Sequence, residues 1–72
     1  MTHDSTLSVT LNGSERRLPA GTTVAGLVAE LGLAPEQVAV ERNGRVVRRA
    51  QHGDVLLEAG DRLEVVTLVG GG

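Results

Sequence analysis

The chain contains no cysteine and no Phe, Trp or Tyr, and its 72 residues include neither isoleucine nor lysine. Without cysteine, neither a disulfide framework nor a thiolate metal site can supplement the core. Without aromatics or isoleucine, the core has to be built from Leu and Val. No apolar run is long enough to span a bilayer. The opening Met1-Thr2-His3-Asp4-Ser5-Thr6 is polar and unlike a signal peptide, so a soluble, cytoplasmic protein is expected. Neither sign of charge dominates, with seven basic and nine acidic residues. A formal net charge of −2 makes no electrostatic case for nucleic acid. A chain of this length is one small domain that buries only about 60% of its unfolded surface. That leaves no room for an enclosed cleft lined by convergent side chains, and counts against an enzyme.

What is present is ordered alternation. Leu7-Ser8-Val9-Thr10-Leu11 has the period of a half-buried strand, and Asn12-Gly13 after it signals a type I′ hairpin. The return strand, Ser14 to Leu18, is more polar, and Arg16 and Arg17 suit a sheet edge that must not pair further. Pro19 to Thr23 leads into a helix with Thr22 or Thr23 as N-cap, and Val24, Leu27, Val28 and Leu31 form one apolar stripe. Gly32 supplies the left-handed stop, Leu33 can fold back in a Schellman motif, and Pro35 lies beyond the end. Gly26 within the helix costs about 1 kcal/mol against Ala.

Val38 to Arg42 alternates again, and Asn43-Gly44 marks a second hairpin into Arg45 to Arg48. Between Arg49 and Ala59 the pattern is weak: a Gly53-Asp54 turn, then Val55-Leu56-Leu57 as a short extended stretch or a helical turn. The last strand runs from Arg62 to Val69, with Leu63 and Val65 on one face and Glu64, Val66 and Leu68 on the other. One amphipathic helix can cover a mixed four- to five-stranded sheet, an α+β arrangement. The first and last strands are apolar enough to be central and, side by side, would be parallel. This is the β-grasp layout. The expected organisation is a flexible leader over 1–6, the β-grasp domain over 7–69, and a mobile glycine tail over 70–72.

The tail carries the chemistry. Gly70, Gly71 and Gly72 directly follow the apolar strand, with no tag-like residues between. Three glycines without Cβ atoms can be threaded through a channel that any side chain would foul, and extended they reach roughly 10 Å. Such a tail can place the Gly72 carboxylate in a partner's active site while the body stays outside. Val66, Leu68 and Val69 beside it are candidate docking residues; strands also commonly expose an odd valine. Arg48 and Arg49 read as solvated surface, with pairing to an acidic partner as the functional alternative. His3 and His52 have no ligand spacing around them, so no metal is assigned. Asp54 and Asp61, each after a glycine, read as turn residues.

In order and spacing, these segments resemble the ubiquitin-like sulfur carriers of the ThiS family. The likeness runs from Leu7 to Gly72. It rests on Asn12-Gly13, on Pro19-Ala20-Gly21-Thr22-Thr23-Val24, and on Val38-Ala39-Val40-Glu41-Arg42-Asn43-Gly44. Val46-Val47-Arg48-Arg49, Gly60-Asp61-Arg62-Leu63-Glu64-Val65-Val66 and the closing glycines complete it. The family minimum is two terminal glycines, so Gly70 reads as a spacer. The family also often keeps a bulky residue near Ala50 to His52, which is absent here. The resemblance implies that an adenylating enzyme similar to ThiF transfers AMP from ATP to the Gly72 carboxylate. Sulfur from a donor system then converts the end to a thiocarboxylate, which is delivered to thiazole synthase, a ThiG-like enzyme, for thiamine synthesis. ATP and Mg²⁺ would belong to the partner, so this chain is expected to bind no cofactor and to act as a co-substrate. The absence of lysine would spare an activated end from attack by side-chain amines, although GC-biased codon usage explains that absence better.

Three other readings stand beside this one. A molybdopterin-synthase small subunit would keep the mechanism and change the acceptor, but those chains tend to be longer and to carry aromatic or proline residues before the glycines. A β-grasp interaction module would bind through its sheet and leave the tail inert. A protein modifier would use the same activated end to acylate lysines elsewhere. Deleting Gly71 and Gly72 separates carrier from module: only the carrier loses its function while still folding.

Overall fold

Both Asn-Gly pairs form the turns expected of them. In the computed structural model, which describes residues 5–68, Asn12 and Gly13 have φ of 50° and 87°, and Asn43 and Gly44 have φ of 53° and 86°. Positive φ at both central positions defines a type I′ turn, whose twist matches that of the flanking strands. The first turn joins β1 (Thr6–Leu11) to β2 (Ser14–Pro19), and the second joins β3 (Val38–Arg42) to β4 (Arg45–Val47). The first strand thus begins one residue earlier than the alternation suggested.

Helix α1 spans Val24–Glu30, capped by Thr23, whose Oγ1 accepts the Gly26 N–H at 3.1 Å. The Thr22 hydroxyl instead donates to the Pro19 carbonyl at 2.6 Å, fixing the loop. The helix ends in a Schellman motif: Gly32 N–H donates to Ala29 O and Leu33 N–H to Val28 O, with Gly32 at φ 77°. Val24, Leu27 and Val28 are buried, while Leu31 packs against the edge of the core.

The sheet order is β2-β1-β5-β3-β4, with β5 spanning Arg62–Thr67 at the centre. β1 and β5 run parallel, and every other neighbouring pair is antiparallel. This is the mixed five-stranded form of the expected β-grasp, with the polar return strand β2 at one edge. Val9, Leu18, Val40, Val47, Leu63 and Val65 turn one face of the sheet toward Val24, Leu27 and Val28 of α1. The other face carries no layer among the described residues.

The weakly patterned segment closes the N-terminal end of the helix. A 3₁₀ turn at Arg49–Gln51 is followed by an isolated bridge between Leu56 and Thr23. The first N–H groups of a helix have no partner within it. Here Val24 N–H donates to Val55 O at 3.0 Å and Ala25 N–H to His52 O at 2.8 Å. Leu57 N–H answers to Thr22 O at 3.0 Å, and the Leu57 side chain enters the core. His52 is buried as well, with its Nε2 3.1 Å from Val47 O. A carbonyl can only accept, so the ring proton sits on Nε2. His52 is therefore a structural residue in the position where the sequence offers nothing bulkier.

Candidate functional site

The last described strand, β5, is held on both sides. Along β1, Thr10 N–H donates to Asp61 O at 2.9 Å and Asn12 N–H to Leu63 O at 2.8 Å. Along β3, pairing runs from Arg42↔Leu63 to Val38↔Thr67, and Leu68 N–H donates to Gln37 O at 2.7 Å just beyond the strand.

Both turn asparagines add to this grip. The Asn12 side chain accepts the Val65 N–H at 2.9 Å and donates to Val65 O at 3.1 Å, so it behaves as one more rung of the sheet. Asn43 accepts the Arg62 N–H at 2.8 Å and donates to Asp61 Oδ1 at 3.0 Å. Asp61 also takes Arg42 Nε at 2.8 Å and the Glu58 N–H at 2.8 Å on Oδ2. Asp61 is thus more than a turn residue: it is the buried acceptor that fixes the start of β5. Burial pushes its carboxyl pKa up. The Glu58 N–H, the Asn43 amide and the Arg42 guanidinium more than offset this and hold it below the ordinary value of 3.8.

Of the expected site residues, Val66 and Leu68 lie on the open face, 54% and 51% exposed. Val69 and the tail glycines Gly70, Gly71 and Gly72 lie outside the described residues. Two further residues extend the patch: Val46 is 70% exposed and Ala39, the cross-strand partner of Val66, is exposed too. Val46 was legible in principle, since alternation that buries Val47 must turn Val46 outward. A shallow concavity of ≈ 390 Å³ on this face is lined by Ala39, Val40, Glu41, Val46, Glu64 and Val66. Arg48 and Arg49 are exposed, whereas His52 and Asp61 serve the fold. Among the described residues no group of His, Cys, Asp or Glu is placed to hold a metal ion, and no helix is long and apolar enough to cross a membrane.

One helix on a mixed sheet with parallel central strands, the last of them leading out beside an apolar patch, defines a ubiquitin-like β-grasp domain. Comparison with known proteins narrows this class. A sequence model of the ThiS family matches residues 9–72, and the chain belongs to that family.

Among solved structures, the crystal structure of the thiamine biosynthesis protein ThiS from Geobacter metallireducens is 30% identical. It superposes with a TM-score of 0.78 over 92% of this chain and 100% of that one. The ubiquitin of Caldiarchaeum subterraneum matches 93% of this chain and 96% of its own at a TM-score of 0.54, a likeness of fold alone at 21% identity. Two curated relatives are thiazole synthases. The protein from Magnetococcus marinus is 50% identical over 66 residues, and that from Paramagnetospirillum magneticum is 41% identical over 66 residues. Each alignment covers 92% of this chain but only 20% of the relative, so the chain spans about a fifth of their length.

Proposed function

We propose that this chain carries sulfur as a C-terminal thiocarboxylate on Gly72 and hands it to a thiazole synthase. The carboxylate is a resonance-stabilised anion and a poor electrophile. A ThiF-like adenylating enzyme remedies this: a carboxylate oxygen attacks the α-phosphorus of ATP, pyrophosphate leaves, and an acyl-adenylate forms. Hydrosulfide from the donor system then attacks the acyl carbon, the bond from that carbon to the AMP oxygen breaks, AMP departs and the S–H proton is lost, leaving –COS⁻. ATP and Mg²⁺ act in the partner, and this chain supplies the acyl group and its presentation. Gly71 and Gly70 let the end pass through a narrow entrance, and Val66, Leu68 and Val69 meet the partner at its mouth.

The observation that carries this reading is the family match, which extends through the terminal glycines to residue 72. Support for the acceptor comes from the two thiazole synthases, in which a segment like this chain is part of the same polypeptide. The test is transfer. The chain loaded with labelled sulfur is mixed with thiazole synthase and its other substrates. Label appearing in the thiazole, with the carrier returning to its carboxylate mass, is the expected result. Label retained on the carrier by an active synthase overturns the acceptor.

A further inference from the structure

The open face of the sheet contains an arrangement that the isolated fold does not need. In the β3–β5 register Glu41 stands directly opposite Glu64, and both are exposed. Like charges facing each other across an antiparallel pair are destabilising. No hydrogen bond or ion pair joins either carboxylate to another described residue; Arg16 pairs with Glu30 and Arg42 with Asp61. Both carboxylates line the concavity, together with Ala39, Val40, Val46 and Val66. Leu68 continues that apolar strip toward the tail.

We propose that Glu41 and Glu64 form a receptor for one cationic side chain, an arginine or lysine of the thiazole synthase, with an adjacent apolar side chain of that enzyme seated between Val46 and Val66. The inference rests on the reading that this chain delivers sulfur to such an enzyme. It adds which residues recognise the partner and by what chemistry. A guanidinium between the two carboxylates would cancel their repulsion and make charge-assisted hydrogen bonds to both, while the apolar floor excludes water and strengthens them. Docking thereby relieves a strain present in the free carrier, so affinity gained on the complex corresponds to stability given up in the free chain.

The experiment compares the full chain with the Glu41→Gln/Glu64→Gln double variant in three measurements. These are binding to thiazole synthase by calorimetry at low and high salt, thermal unfolding of the free chain, and thiocarboxylate formation with the adenylating enzyme. The expected result is a Kd for the synthase raised at least tenfold, with most of its salt dependence gone. The free variant should melt about 2–4 °C higher, and its thiocarboxylate should form as in the wild type. Val46→Ser, a change at an exposed site, should weaken binding several-fold without altering the melting point. Unchanged affinity in the double variant overturns the receptor, as does a lowered melting temperature. Loss of thiocarboxylate formation with synthase binding intact also overturns it, because the cation would then belong to the adenylating enzyme. Failure of the wild-type chain to acquire sulfur at all would instead count against the carrier reading itself.

Discussion

Two neighbouring rungs of the central strand pair obey opposite rules. Val65 pairs with Val40, and both are buried under the helix; Val66 pairs with Ala39, and both are exposed. One residue along the strand turns a side chain from core to solvent, because successive side chains point to opposite faces. The covered face, together with the polar anchors at Asp61 and Asn12, holds the fold together. The open face packs against no second layer among the described residues and leaves Ala39, Glu41, Val46, Glu64 and Val66 exposed. Such a division leaves one surface free for recognition without compromising the other.

Substitutions on the two faces should therefore separate stability from function. The largest effect is expected at Leu63, which is fully buried. Leu63→Ala should lower the unfolding free energy by about 2–5 kcal/mol in denaturant titration, enough to leave a domain of this size marginal. Asp61→Asn comes next, at about 1–3 kcal/mol, since it weakens a buried acceptor that serves three donors. It should also change the acid response. Asp61 titrates below its ordinary 3.8 in the fold, so its contribution is complete above that value and drains away as pH falls through the lower folded value. The wild type should lose stability more steeply than the Asn variant in that acid range, as followed by melting temperature.

Smaller effects sharpen the contrast. A Cβ at Gly26 would meet Thr22 Cγ2 at 3.5 Å and Thr23 Oγ1 at 3.6 Å, ordinary contacts. Gly26→Ala should stabilise the helix by about 0.5–1 kcal/mol, seen as a raised melting temperature. Val66→Ser, on the open face, should shift stability by no more than about 0.5 kcal/mol. Its effect should appear in weakened binding to the partner.

The features legible in the sequence are those with local causes. The helix stripe, the alternation of β1, β3 and β5 and both Asn-Gly turns are written within a few adjacent residues, and all are in the structure as read. Even the parallel pairing of β1 with β5 followed from which strands were apolar enough to be central. What escaped depends on distant partners. Asn12 binds a residue 53 positions away, and Asp61 meets Arg42 across 19, so neither side chain looked like more than turn chemistry. His52 carried no signal of burial because its hydrogen-bond partner is a backbone carbonyl. The segment from Arg49 to Ala59 shows no period because its carbonyls cap α1 and only Leu57 and His52 are buried, with Val55 packed at the edge of the core. On the open face, Val66 and Leu68 could be placed by alternation. Their alliance with Val46 and Ala39 required the order of the strands.

The central claim is that the Gly72 carboxylate becomes a thiocarboxylate, and intact mass measures it most directly. The chain is incubated with ATP, a sulfide source and the cognate ThiF-like enzyme, beside a version lacking Gly71 and Gly72. The prediction is a gain equal to one sulfur replacing one oxygen, mapped to Gly72 and absent from the truncated chain although that chain still folds. No gain from an enzyme shown to be active on another carrier, or an equal gain in the truncated chain, would contradict it.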